Sequence, residues 1–178
     1  MSKSELRAYF DWYMAVMPER VEHLEETFHE TAGFEDAVLD ASPESLPALG
    51  DWFTSSVEAR PLTTDEIERA NAGSKYQFPV GSIELTIRTF SMAMDLGMYF
   101  AKVMMVKRPQ LKWHQPLTAK KFVDYGQPVL IGAGPVPMNP VRLMITLAYG
   151  IARKRYGGSA RIVEIFDYWS DQAAEYQA

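Results

Sequence analysis

No cysteine occurs in the 178 residues, which removes disulfides, thiolate zinc sites, iron–sulfur ligation and a cysteine nucleophile together. Histidine numbers only three. A Ser–His–carboxylate triad survives that count, yet no serine stands in a Gly-x-Ser-x-Gly elbow. Long apolar runs are also missing: the most apolar stretch, Phe90 to Val106, contains Asp95 and Lys102 and falls short of a membrane span. The first residues, "MSKSELRAYFDWYMAVMPER", carry Glu5 and Asp11 and have no uninterrupted apolar core, unlike a secretory signal. No repeat or low-complexity segment is present. These absences lead us to expect a soluble, cytoplasmic protein with no cofactor, no metal and no membrane partner.

What is present is a 47% hydrophobic chain, enough for one well-cored domain over residues 1–178 and too short to make two the default. Leu6, Phe10, Tyr13, Met17, Val21, Leu24 and Phe28 form one helical stripe that keeps its phase across Pro18. This predicts a single long helix, kinked at the proline and ending near Gly33. Ser42 and Pro43 open a second helix bearing Leu46, Leu49, Phe53 and Val57, whose start Pro47 moves a few residues later. "LTTDEIERANAG" reads as a short acidic-headed helix and "SKYQFPVGS" as a loop.

From Ser82 to Arg108 only Gly97 interrupts two apolar stripes, which predicts a central helix packed on both sides. "LKWHQPL" and "QPVLIGAG" are strand candidates, and Asn139 with Pro140 caps a further helix. A last helix follows Ser159. The fold class expected is mainly α (α+β): five to six helices around a long central one, with a short two-stranded antiparallel element.

The motifs that carry chemistry are few. Glu26 and His29 have Glu-x-x-His spacing, but di-iron bundles need a second copy and none occurs. Gly132 and Gly134 suggest a phosphate loop, yet Pro135, Pro137 and Pro140 have no N–H to donate, so the stretch reads as a stiff elbow. Only Arg142 keeps an anion-binding option open there. Along the central helix Glu84, Arg88, Ser91, Asp95, Tyr99 and Lys102 make a polar line. It is either a solvent face supported by a Glu84–Arg88 pair, or the lining of a cleft with Arg88, Asp95, Tyr99 and Arg142 as ligand contacts. Methionines around it, Met98 and Met105 among them, would give adaptable packing. No residue is selected as catalytic.

Charge divides sharply along the chain. Residues 1–70 hold 16 Asp/Glu and 5 Lys/Arg, whereas residues 71–178 hold 7 and 13. Either the two parts neutralise each other in the fold, or an acidic surface is free to steer a partner. Glu22, Glu25, Glu26, Glu30 and Trp113 are the interaction-surface candidates. "KRPQLKWHQPLTAKK" mixes cations with Trp113, but a pI near 5.2 and the lack of any nucleic-acid motif argue against nucleic acid as the partner.

The stretches "YFDWYMAVMPERVEHL", "SPESLPALGDWF" and "LKWHQP…KKFVDYGQPVLIGAG…MNPVRL" resemble small uncharacterised bacterial proteins, some of them immunity proteins that neutralise secreted toxins. That resemblance implies a non-enzymatic interaction protein, here one whose acidic region meets a basic partner. A small-ligand binder or enzyme using the central-helix cleft is the alternative.

Overall fold

The computed structural model describes residues 1–73 and 81–176. Helix α1 (Lys3–His29) starts with a capping box: Ser2 Oγ accepts from the Glu5 amide at 3.2 Å, and the Glu5 carboxylate accepts from the Ser2 amide at 2.6 Å. The helix runs on through Pro18 and buries Leu6, Tyr13, Val21, Leu24 and Phe28, the phase read from the sequence. It stops at His29, one turn before Gly33. Phe34 folds back onto Phe28, ring centroids 5.3 Å apart, and Gly33 takes the positive φ of +91° that this reversal needs.

A 3-10 turn, Pro43–Ser45, leads into α2 (Leu46–Ser56), so the α-helix proper starts late with Pro47 in its first turn, as its missing N–H requires. Strand β1 (Ala59–Pro61) follows, then α3 (Thr64–Gly73), where the Thr63 hydroxyl accepts from the Glu66 amide and the Glu66 carboxylate accepts from the Thr63 amide. The loop expected at "SKYQFPVGS" lies, for residues 74–80, outside the described residues.

The central helix is shorter than its apolar stripe. Ile83–Leu85 form strand β2, antiparallel to β1, and α4 (Ile87–Lys107) begins only after Thr86, whose hydroxyl accepts from the Thr89 amide. A helix-phased apolar pattern thus continues by chance into a strand, and the cap decides the boundary. The expected Glu84–Arg88 pair is consequently absent: Glu84 bonds Arg60 across the sheet, and Arg88 reaches Glu58 at 3.3 Å.

Both expected strands pair, β3 (Lys112–His114) with β4 (Val129–Ile131), antiparallel, Trp113 opposite Leu130. The chain is mainly helical with two small sheets, one more than the sequence suggested. Three-residue strands such as β1, fully exposed and ending in Pro61, leave almost no pattern to read.

After β4, Gly132 and Gly134 take positive φ and Met138 returns to bridge Leu130. Helix α5 (Pro140–Ala152) then opens under an Asn139 cap, its side-chain oxygen accepting from the Arg142 amide at 2.9 Å. Helix α6 (Gly158–Glu175) completes the layer. Two close crossings hold the helices together. A Cβ on Gly97 of α4 would lie 2.8 Å from the Val141 Cα in α5, and one on Gly50 of α2 would lie 2.7 Å from the Gly158 backbone of α6. Only glycine permits that approach. The buried apolar side chains form one continuous cluster from Tyr13 to Ala173 around α4. Among the described residues no helix is long and apolar enough to cross a membrane.

Candidate functional site

Helix α5 covers one flank of α4 and α1 crosses another, which leaves an uncovered furrow between α1 and α4. This groove has a volume of about 750 Å³, within the range of functional clefts. Its floor is methionine: Met14 and Met17 from α1, Met98 and Met105 from α4, with Val21 beside them and Trp113 of β3 closing one end. Thioether side chains are flexible and polarizable, so such a floor adapts to differently shaped apolar groups. Pro18 also lines the groove. Having no N–H, it leaves the Met14 carbonyl without its normal helical donor.

The lip is charged. Glu22 and Glu25 stand on the α1 side and Lys102 on the α4 side, where Lys102 Nζ lies 3.6 Å from the Glu25 carboxylate. Beyond Glu22, the solvent face of α1 carries Glu19, His23, Glu26 and Glu30, all exposed. Three of the interaction-surface candidates, Glu22, Glu25 and Trp113, therefore gather at one opening, while Glu26 and Glu30 extend its acidic side. The Glu26/His29 motif does not converge on anything: the His29 ring bonds the Ala37 carbonyl at 2.9 Å. Among the described residues no group of three or more His, Asp or Glu is placed to hold a metal ion.

Internal neutralisation does not consume the charge asymmetry. Among the described residues four ion pairs join the first 70 residues to the remainder: Glu25–Lys102, Glu58–Arg88, Arg20–Asp95 and Arg60–Glu84. Two have the acid in the first part and two have it in the second. Their effects on the imbalance cancel, and the acidic face of α1 stays open to solvent.

The ligand-cleft candidates separate. Asp95 is only 3% exposed and borders a small hollow of about 140 Å³, with Arg20 of α1 lying over it. Arg20 Nε donates to Oδ1 at 2.7 Å and Nη2 donates to Oδ2 at 2.5 Å and to Ser91 Oγ at 2.9 Å. Burial pushes the Asp95 carboxyl above its ordinary value, while the Arg20 hydrogen bonds pull it back. Arg88 borders the same hollow but turns outward to Glu58.

Tyr99 is fully buried elsewhere: its hydroxyl accepts from the Ala41 amide at 3.0 Å and sits 2.8 Å from Ser45 Oγ, which itself donates to the Ser42 carbonyl. Arg142 lies at the start of α5, with Nη2 at 2.9 Å from Asp124 Oδ2. The polar line is thus solvent-facing at Arg88 and Lys102 and structural at Asp95 and Tyr99. Sequence reasoning missed Arg20 and Asp124, whose partners are 75 and 15 residues away along the chain, beyond any local spacing rule.

No protein-family model, curated protein or solved structure matches the chain.

Proposed function

We propose that the protein is a non-enzymatic interaction module that captures an apolar, positively charged segment of a partner protein in the groove between α1 and α4. An immunity-type inhibitor of a basic toxin is the specific form of this reading. The observation that carries it is the coincidence of a methionine floor with an acidic lip at Glu22 and Glu25. Amphipathic helices dock into such grooves through apolar residues spaced three and four apart. Their basic residues would meet the carboxylates of α1. Toxins that cleave nucleic acid carry basic surfaces because they must bind phosphate. Complementary charge of this size mainly accelerates association and weakens with salt.

Two synthetic 18-residue helical peptides with the same leucine stripe, one with a lysine polar face and one with a glutamate face, provide the test. Calorimetric titration is expected to show binding of the lysine peptide only. Met105→Glu, placed on the groove floor, abolishes it, and the double reversal Glu22→Lys with Glu25→Lys slows association roughly tenfold at low salt. Equal binding of both peptides, or a lysine peptide indifferent to Met105→Glu, would overturn the reading.

A further inference from the structure

With no cysteine in the chain, its oxidisable sulfur consists of the thioethers of ten methionines, all of them among the described residues. The fold sorts them by access. Met92, Met98, Met104, Met138 and Met144 are buried, so an oxidant reaches them only when the structure opens. Met1 is exposed at the start of the chain. The remaining four, Met14, Met17, Met94 and Met105, are half-buried. Three of those four line the groove between α1 and α4, whereas Met94 packs against the core elsewhere.

Accessible thioether is thereby concentrated in one place. Met14 and Met17 are three residues apart on α1, hence on one face of it, and Met105 lines the same groove from α4. At about 750 Å³ the groove admits a peroxide molecule, which is little larger than water.

Oxidation there changes what the floor can hold. A sulfoxide is polar and carries a hydrogen-bond acceptor where the thioether was apolar. Of its neighbours, Pro18, Val21 and Met98 have no side-chain donor to offer, and Lys102 on the lip is engaged with Glu25 at 3.6 Å. An apolar side chain seated on the oxidised floor would strip the sulfoxide of water without replacing its hydrogen bond, which is unfavourable.

We propose that Met14, Met17 and Met105 form a reversible oxidation site at which a hydroperoxide blocks capture of the partner. The step is an oxygen-atom transfer. The sulfur lone pair attacks one peroxide oxygen, the S–O bond forms as the O–O bond breaks, and the other oxygen leaves as water. Sulfur gives up two electrons and the peroxide takes up two. The site rests on the access pattern, and its consequence for capture rests on the groove reading.

Graded hydrogen peroxide treatment of the full chain, followed by peptide mapping in a mass spectrometer, tests the site. Sulfoxide is expected at Met14, Met17 and Met105 at least about tenfold faster than at the five buried methionines, with the helical circular dichroism unchanged. The lysine-faced peptide is expected to bind the oxidised protein at least about tenfold more weakly. Methionine sulfoxide reductases acting on both epimers should restore its affinity. A variant combining Met14→Leu, Met17→Leu and Met105→Leu keeps the apolar volume and is expected to keep its affinity after the same treatment, which separates the groove from Met1 and Met94.

Buried methionines oxidised as fast as these three would overturn the proposal and leave the groove reading standing. Selective oxidation without loss of affinity, or a loss that persists in the leucine variant, would do the same. An unoxidised protein that fails to bind the peptide would remove the groove reading, and with it the control of capture, whatever the mapping shows.

Discussion

Tyr99→Phe separates a structural role from a binding role with a single atom. The hydroxyl is a relay: it accepts from the Ala41 amide and donates to Ser45 Oγ, whose own proton goes to the Ser42 carbonyl. Burial raises the phenol above its ordinary value, so it stays neutral and keeps its proton for Ser45. Phenylalanine retains the ring and its packing, and the apolar contribution is nearly unchanged. What is lost is the only partner, among the described residues, of a buried backbone N–H, at Ala41, a residue held at φ +60° and 3% exposed.

An orphaned buried donor costs about 1–3 kcal/mol. For a chain of this size each kcal/mol lowers the melting temperature by about 2–4 °C. Urea unfolding of the two proteins measures the difference. A coupling energy with Ser45→Ala is expected as well, because the relay is shared. A loss below about 0.5 kcal/mol, the scatter of neutral surface changes, would refute the relay and return Tyr99 to the pool of ligand contacts.

Three further outcomes follow from the same packing. Arg20→Met leaves Asp95 buried without its cation and is expected to cost up to about 3–5 kcal/mol. Its sign with pH is opposite to ordinary acid unfolding: a carboxyl whose folded value is raised contributes stability below its ordinary value of 3.8 and loses it as pH rises through the folded value. Removing Arg20 raises that value further, so the deficit of the variant widens as pH rises above the ordinary carboxylate range, and denaturation curves at several pH values would show it. Gly97→Ala sets a Cβ 2.8 Å from Val141 and is expected to cost about 1–3 kcal/mol by forcing α4 from α5, read as a lower urea midpoint. Gly134→Ala has open space around it, so its penalty comes from φ +136° alone and should be smaller than that of Gly97→Ala.

The helical skeleton was legible because its signals are local. Asn139 with Pro140 and the stripe from Leu6 to Phe28 each act within one or two turns, and the structure uses both. Where a local signal was ambiguous the tertiary partner decided: Ile83 and Leu85 fit a helical stripe equally well, and β1 drew them into a ladder. The polar line of α4 was legible as a line but not as a site. Whether Asp95 and Tyr99 face water depends on Arg20 and on the Ala41–Ser45 segment, and nothing in residues 84–102 records where those fall. The elbow after β4 is poor in N–H donors, as its prolines indicated, while the Asn139–Asp124 hydrogen bond beside it escaped notice because its partners lie 15 residues apart.

The charge division along the chain gains a physical meaning once the ion pairs are placed. Had the two halves evolved only to neutralise each other, acids of the first part should outnumber bases among the pairs that join them; among the described residues the pairs are balanced instead. The three exposed pairs among them contribute at most about 1 kcal/mol each, so stability alone gives no reason to concentrate carboxylates along α1. Repulsion among Glu19, Glu22, Glu26 and Glu30 on one helix face is a cost that folding must carry. A cation brought by a partner relieves that cost on binding, and Lys102 on the opposite lip already does so for Glu25. The acidic face and the groove are therefore more economically explained together, with α1 supplying the charge that attracts a basic segment and the methionines that receive its apolar side.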